Sequence, residues 1–263
     1  MNIENFNAEK VRDELVNWIK VWFDKNGPTS KAVIGVSGGK DSTIVAGLCV
    51  RALGKDRVIG VLMPNGGQKD IDDSHRVCEA LGIKNITIDI QNGYRGIADE
   101  VEDKVMYDLG LGIMGLSEQT KINLAPRLRM TTLYAVSQTI GGRVVNTSNL
   151  SEKMTGYFTR WGDECGDLKP LINLTKTEVV EIGKTLSEIP IDLIVKAPSD
   201  GLTGKTDEDK IGFTYENLDK FIRGYSLDLP NDVIEKIEKR LDAVRFKQHS
   251  PDEFVHYDED LPF

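Results

Sequence analysis

Apolar positions change period twice in the first third of the chain. Residues 8–25 place Val11, Leu15, Trp18 and Trp22 at spacings of three and four, which predicts an amphipathic helix ended by the breaker Asn26-Gly27-Pro28. The next apolar residues run without interruption. KAVIGV (31–36) predicts a buried strand that leads straight into Ser37-Gly38-Gly39-Lys40-Asp41-Ser42, and from there into an apolar helix reaching about Leu53. The order then repeats: RVIGVLM (57–63) predicts a strand, residues 70–81 a helix, NITIDI (85–90) a strand, and 143–145 a further short strand. Such alternation predicts an α/β fold, a doubly wound parallel sheet flanked by helices.

Beyond residue 94 the pattern turns helical. Ser117 opens a long helix that runs past Arg129 and Tyr134 to Gly141. KAPSDGLTGKTDED (196–209) is dense in Gly, Pro, Ser, Thr and Asp and predicts a surface loop able to act as a lid. Helical spacing returns at 218–222 and 233–246, giving additional C-terminal helices before an irregular tail. No repeat interrupts this order, and one domain over 1–263 is expected.

Composition narrows the class. The chain has 263 residues, 40% hydrophobic and 29% charged. No apolar run approaches the roughly 18 to 20 residues that cross a bilayer. The first residues, MNIENFNAEK, lack a basic segment followed by an apolar one, so a cytoplasmic protein without membrane contact is expected. Cys49, Cys78 and Cys165 are widely spaced and odd in number, which fits a reducing compartment. A net charge of −9 argues against nucleic acid as a partner, since its capture needs clustered Lys and Arg. A polyphosphate ligand remains compatible, because it needs only a few N–H groups and well-placed cations.

The hexapeptide 37–42 carries the chemistry. Adjacent glycines let backbone approach a ligand closely, and Ser37, Ser42 and the helix N-terminus offer donors to phosphate oxygens. Asp41 would repel that anion unless a divalent cation lay between them, which makes it a candidate Mg²⁺ ligand. The GxxxxGK[ST] spacing of kinases and GTPases is absent. An ordinary polar-capped Gly turn is the bland alternative.

The motif resembles the SGGxDS pyrophosphate loop of the ATP pyrophosphatase superfamily, which implies cleavage of ATP between its α and β phosphates and an adenylated intermediate. Further along stand Asn123-Leu124-Ala125-Pro126-Arg127-Leu128-Arg129, Asn146-Thr147-Ser148-Asn149-Leu150-Ser151-Glu152, the segment Thr155 to Asp163 (TGYFTRWGD) and Leu174-Thr175-Lys176. In this order they resemble the NAD synthetases, over residues 31–223. The resemblance implies ATP binding by Gly35, Ser37, Gly38, Gly39, Asp41, Ser42, Thr147, Lys176 and Ser199, with Asp41 and Glu152 holding Mg²⁺. It implies contacts to deamido-NAD from Arg127, Tyr134, Phe158, Asp163 and Lys247, with Asp41, Lys176 and Asp163 as catalytic residues. It also implies a homodimer with its interface around 115–140, and free ammonia as nitrogen donor.

Each residue has a plainer competitor: Arg127 and Arg129 as a solvated helix face, Glu152 as a surface carboxylate, Lys176 as a helix N-terminal residue. The tail around Lys247 departs from the family's basic segment. His75, His249 and His256 lack metal-ligand spacing and are expected at the surface. Gly110–Gly115 only superficially resembles a dinucleotide turn. Two readings stay open beside the synthetase: another pyrophosphate-loop ligase, GMP synthetase-like or tRNA-modifying, and an ATP-binding sensor without turnover.

Overall fold

A computed structural model of the chain describes residues 6–67, 71–109, 115–196 and 207–248. Four parallel strands form one sheet in the order β3-β2-β1-β4: β1 (Lys31–Gly35), β2 (Val58–Leu62), β3 (Lys84–Thr87) and β4 (Gly142–Val144). Val33 of β1 pairs with Ile59 of β2 on one side and with Val144 of β4 on the other. The two-residue period of a strand divides β1 between two cores. Ala32 and Ile34 enter a large cluster, whereas Val33 joins Val61 and Val144 in a second one on the opposite face.

Helices cover both faces, as expected of the doubly wound arrangement. The large core is closed by α1 (Ala8–Asn26), α2 (Lys40–Leu53), α3 (Ile71–Leu81), α7 (Lys176–Lys184) and α8 (Ile191–Val195). The second face is covered by α5 (Glu118–Thr139), with α4 (Gln91–Tyr107) beside it. A third cluster joins α9 (Asp207–Ile211), α10 (Tyr215–Ile222) and α11 (Asn231–Gln248), the additional C-terminal helices. The remaining helix, α6 (Leu150–Thr155), follows β4. Ser117 caps α5 by accepting from Thr120 N–H, as its sequence position predicts.

Two expectations change in detail. In α1 the fully buried residues are Ile19 and Phe23, while Trp18 is exposed, because the stripe facing α2 runs through Val11, Leu15, Ile19 and Trp22. The strand expected over 85–90 ends at Thr87 and is exposed along its length, as an edge strand. Past it, Ile88 and Ile90 still donate to Leu62 O and Pro64 O. The short helices α6, α7, α8 and α9 carry too few turns for periodicity to reveal them.

No helix among the described residues is long and apolar enough to cross a membrane. His75 is exposed, as expected; His249, His256 and most of the expected 196–209 lid, Ser199 included, lie outside the described residues.

Candidate active site

The chain leaves β1, crosses outward to β2 and β3, and returns through α4 and α5 to β4 on the other side of β1. The segments after β1 and β4 therefore diverge at a topological switch point, where a crevice opens at the carboxyl ends of the strands. Ser37-Gly38-Gly39 lies on one side and Asn146 to Glu152 on the other.

Gly38 has φ 77°, a left-handed conformation that disfavours a side chain. Gly39 caps α2 from an extended conformation, with no side chain satisfying the helix's first turn. Its N–H groups and partial positive charge thus face the crevice. Ser37 and Ser42 hydroxyls lie 3.2 Å apart, and Ser42 Oγ donates to Gly39 O at 2.9 Å, which fixes the turn. Gly35 serves packing: a Cβ there would come within 3.2 Å of Met63 Cε and 3.3 Å of Leu133 Cδ1.

Across the crevice, buried Asn146 bonds the carbonyls of Asp163 and Cys165, both at 2.8 Å, and accepts from Ser148 N–H. Thr147 follows it, half-buried. Asn149 and Glu152 form a capping box at the start of α6. Thr175 and Glu178 form another at the start of α7, which makes Lys176 the first residue of that helix. The plain reading of Lys176 is thus true of its backbone, but its side chain is buried and reaches into the crevice. Its Nζ lies 2.7 Å from Asp41 Oδ2 and 2.9 Å from Glu152 Oε1.

Residues far apart in sequence thereby form one buried cluster of two carboxylates and an ammonium. Burial raises the Glu152 carboxyl to about 7; the Asp41 charge adds to this and Lys176 opposes it. For Lys176 burial acts to lower the value, but the two carboxylates outweigh it and hold the ammonium well above its ordinary range. Asp41 Oδ1 is buried without a hydrogen-bond partner. An orphan carboxylate oxygen beside a second carboxylate, below an uncapped helix start, suits a hard divalent cation whose other ligands are phosphate oxygens and water. Among the described residues no group of three or more His, Cys, Asp or Glu is placed to hold a metal ion.

A second constellation surrounds the loop after α6. Asp163 Oδ1 accepts from Thr159 N–H at 2.7 Å, and the enclosing protein raises its carboxyl above the ordinary range. Thr159 Oγ1 bonds Asn123 Oδ1, Arg127 Nε bonds Arg160 O at 3.1 Å, and Arg129 Nε reaches Met63 O. The NxxxRxR stretch therefore ties α5 to this loop and to the end of β2. Lys247 of α11 donates to Gly156 O at 2.6 Å and Phe158 O at 2.5 Å, over the Phe158 ring. Trp161 is exposed with φ 65°, the only non-glycine with positive φ among the described residues. An aromatic residue rarely keeps that strained conformation unless the surroundings impose it.

Arg127, Phe158, Asp163 and Lys247 thus gather around one loop, and Asp41, Glu152 and Lys176 around one point beneath it, linked through Tyr157 N–H and Glu152 O. Tyr134 packs in the second core cluster, as does Cys165, two residues from Asp163. Its hydroxyl donates to Asp167 Oδ1, and Asp167 in turn accepts from Val144 N–H at the outer edge of β4. Sequence reasoning assigned no role to Asn146, Ser148, Ser151 or Asp219. The one signal for Asp219 is an acid within the apolar stripe Tyr215, Leu218, Ile222.

The NAD synthase family model matches residues 11–251. An NH3-dependent NAD+ synthetase of Pyrococcus furiosus is 36% identical over 262 residues, 95% of each chain. Among solved structures, the NMN synthetase of Francisella tularensis aligns with a TM-score of 0.84 at 32% identity, over 96% of this chain and 100% of that one. The NH3-dependent NAD synthetase of Campylobacter jejuni aligns with a TM-score of 0.73 at 27% identity, over 95% and 99%. With the glycine loop and its acidic partners meeting at the switch point of a sheet shared with these proteins, the chain belongs to the NAD synthase family.

Proposed function

We propose that the protein amidates deamido-NAD with ammonia at the expense of ATP, giving NAD, AMP and pyrophosphate. The observation that carries this reading is the meeting of Asp41, Glu152 and Lys176 beneath the glycine loop. A carboxylate is a poor electrophile because its leaving group would be oxide. Its oxygen attacks the α-phosphorus, pyrophosphate departs, and the acyl adenylate formed offers AMP as the leaving group when ammonia attacks the carbonyl carbon.

Gly38, Gly39 and the first turn of α2 receive the phosphates, with Ser37, Ser42 and Thr147 beside them. Asp41 and Glu152 would hold Mg²⁺, which when bound neutralises the phosphate oxygens on which charge grows. Lys176 faces the same oxygens as pyrophosphate leaves. Asp163 holds the incoming ammonia and takes the proton it sheds, while Arg127 and Phe158 line the acyl side. Lys247 supports that side through the Gly156 and Phe158 carbonyls. Ser199 closes over ATP in this reading, and the whole chain acts as one domain.

Exposed Ile97 and Val101 of α4, Ile122 of α5 and Ile86 on the β3 edge leave an apolar surface on the thinly covered face of the sheet. Such a surface suits a homodimer contact over residues 115–140. The similarity to an NMN synthetase favours a second reading, in which the acceptor is the deamidated mononucleotide.

The deciding experiment supplies purified protein with ATP, Mg²⁺, ammonium and either acceptor, and follows AMP with the amide product. Equal yields of AMP and NAD with deamido-NAD are expected, and glutamine is not expected to replace ammonium. A higher kcat/KM for nicotinate mononucleotide would transfer the assignment to the second reading. Absence of AMP with every acceptor would reject both.

A further inference from the structure

We propose that Asp219 is a positioning residue that sets the register of the helices bearing Glu152 and Lys176; this rests on the ligase reading above. Asp219 lies on α10, far from the glycine loop in sequence, and is fully buried. Its Oδ1 accepts from Ser151 Oγ at 2.6 Å. Its Oδ2 accepts from Thr177 N–H at 2.8 Å and Thr177 Oγ1 at 2.7 Å. Ser151 precedes Glu152, and Thr177 follows Lys176. One carboxylate therefore grips both helices at the residues adjoining the reactive pair.

The Ser151 hydroxyl closes the device. While it donates to Asp219, it accepts from Lys176 N–H at 2.9 Å. Asp219 thus uses the hydroxyl's only proton and leaves a lone pair aimed at the first N–H of α7. Without that constraint the hydroxyl can rotate, and the link between α6 and α7 loses its direction. The stripe of α10 facing α7 continues the grip on either side: Lys176 Nζ lies over the Tyr215 ring, and Arg223 forks onto Glu178, the capping acid of α7.

Stability alone gives little reason for an acid here. Asp219 is bonded by the Ser151 and Thr177 hydroxyls and the Thr177 N–H, burial raises its carboxyl above the ordinary range, and the Arg223 guanidinium is spent on Glu178. A buried charge of this kind is commonly no more stabilising than a well-packed apolar side chain. What an apolar residue would not supply is a fixed separation between Glu152 and Lys176. Groups that orient metal ligands at one remove typically alter affinity or activity by about 10- to 100-fold when lost.

The test is Mg²⁺-dependent binding of α,β-methylene ATP, measured calorimetrically without acceptor, together with steady-state kinetics. Asp219→Asn and Ser151→Ala are each expected to weaken nucleotide binding and lower kcat by about 10- to 100-fold, leaving the KM for the acceptor unchanged. Ile237→Ala, which opens a cavity in the core shared by α10 and α11, is expected to lower the melting temperature without moving either quantity. Wild-type affinity and kcat in Asp219→Asn, with only a lower melting temperature, would overturn the proposal. Should Asp219→Asn not fold, Ser151→Ala carries the test, since it keeps the Asp219 bonds to Thr177, and unchanged binding there overturns the proposal equally. Failure of the ligase reading would be seen separately, as wild-type protein that binds the nucleotide but forms no AMP with any acceptor.

Discussion

Lys176 is the residue on which the charge balance of the site turns. Its ammonium lies within 2.9 Å of both Asp41 and Glu152, and its side chain is only 7% exposed. Removing one partner from a buried ion pair leaves the remaining charge uncompensated, at a cost of about 3 to 5 kcal/mol. Lys176→Met is therefore expected to destabilise the metal-free protein by about 3 kcal/mol and to abolish turnover. Mg²⁺ should restore more stability to this variant than to wild type, because the two carboxylates have then lost the Lys176 ammonium between them. Denaturant melts with and without Mg²⁺ would show this, and equal Mg²⁺ effects in both proteins would refute it. Asp41→Ala is expected to cost orders of magnitude in kcat with the fold intact, and near-normal turnover would remove Asp41 as a metal ligand.

The pH dependence also belongs to single groups. Glu152 stands at about 7 in the fold against an ordinary 4.5, so between those values the folded chain keeps a proton that the unfolded chain releases. Its contribution to stability is fully present below the ordinary value and is lost as pH rises through about 7. Melting temperatures in chelator are expected to fall across this window, and Glu152→Gln to flatten the trend. Metal affinity should change in the opposite sense, rising as Glu152 ionises. A wild-type melting temperature that rises over the same window would contradict the assignment.

Among the elements, α6 shows what the short helices contribute. It ends at Gly156, whose φ of 62° is left-handed and whose missing Cβ would lie 2.6 Å from Val244 Cβ of α11. Gly156→Ala would add the roughly 1 to 2 kcal/mol of a left-handed non-glycine residue to a steric clash that pushes α11 outward. A lower melting temperature with weakened acceptor binding is expected, because Lys247, Arg240 and Gln248 of α11 all donate to carbonyls at 154–158. Unchanged acceptor KM would mean that α11 does not support the loop bearing Asp163. The longer elements, α1, α2, α5, β1 and β2, were legible because their apolar periods run for several turns or fill a whole strand. The turns of α6 and α7 are not periodic in that sense; they are set by capping boxes and by Asp219, which lies more than forty residues beyond Lys176.

At the scale of the molecule, the two faces of the sheet are unequally covered. The face under α1, α2, α3 and α7 buries the larger cluster, whereas the α4–α5 side buries a smaller one and leaves Ile97, Val101 and Ile122 in solvent. Sedimentation analysis is expected to give a dimer, and Ile122→Asp together with Val101→Asp to give a monomer of unchanged fold. A monomeric wild-type protein across the micromolar range would reject the interface.

The sequence by itself determined the parallel α/β order, the glycine loop between a strand and a helix, and the family resemblance. Each is written in local spacing, and local spacing is what sterics and hydrophobic burial read directly. It also nominated Asp41, Glu152 and Lys176, but as separate residues. Only the tertiary structure decided that they meet around one ammonium and that Asp41 Oδ1 is left unpartnered. It alone placed Tyr134 against Asp167 and Asp219 beneath both reactive helices. Their partners lie across the sheet or on another helix, and no periodicity encodes a distance between segments that only folding brings together.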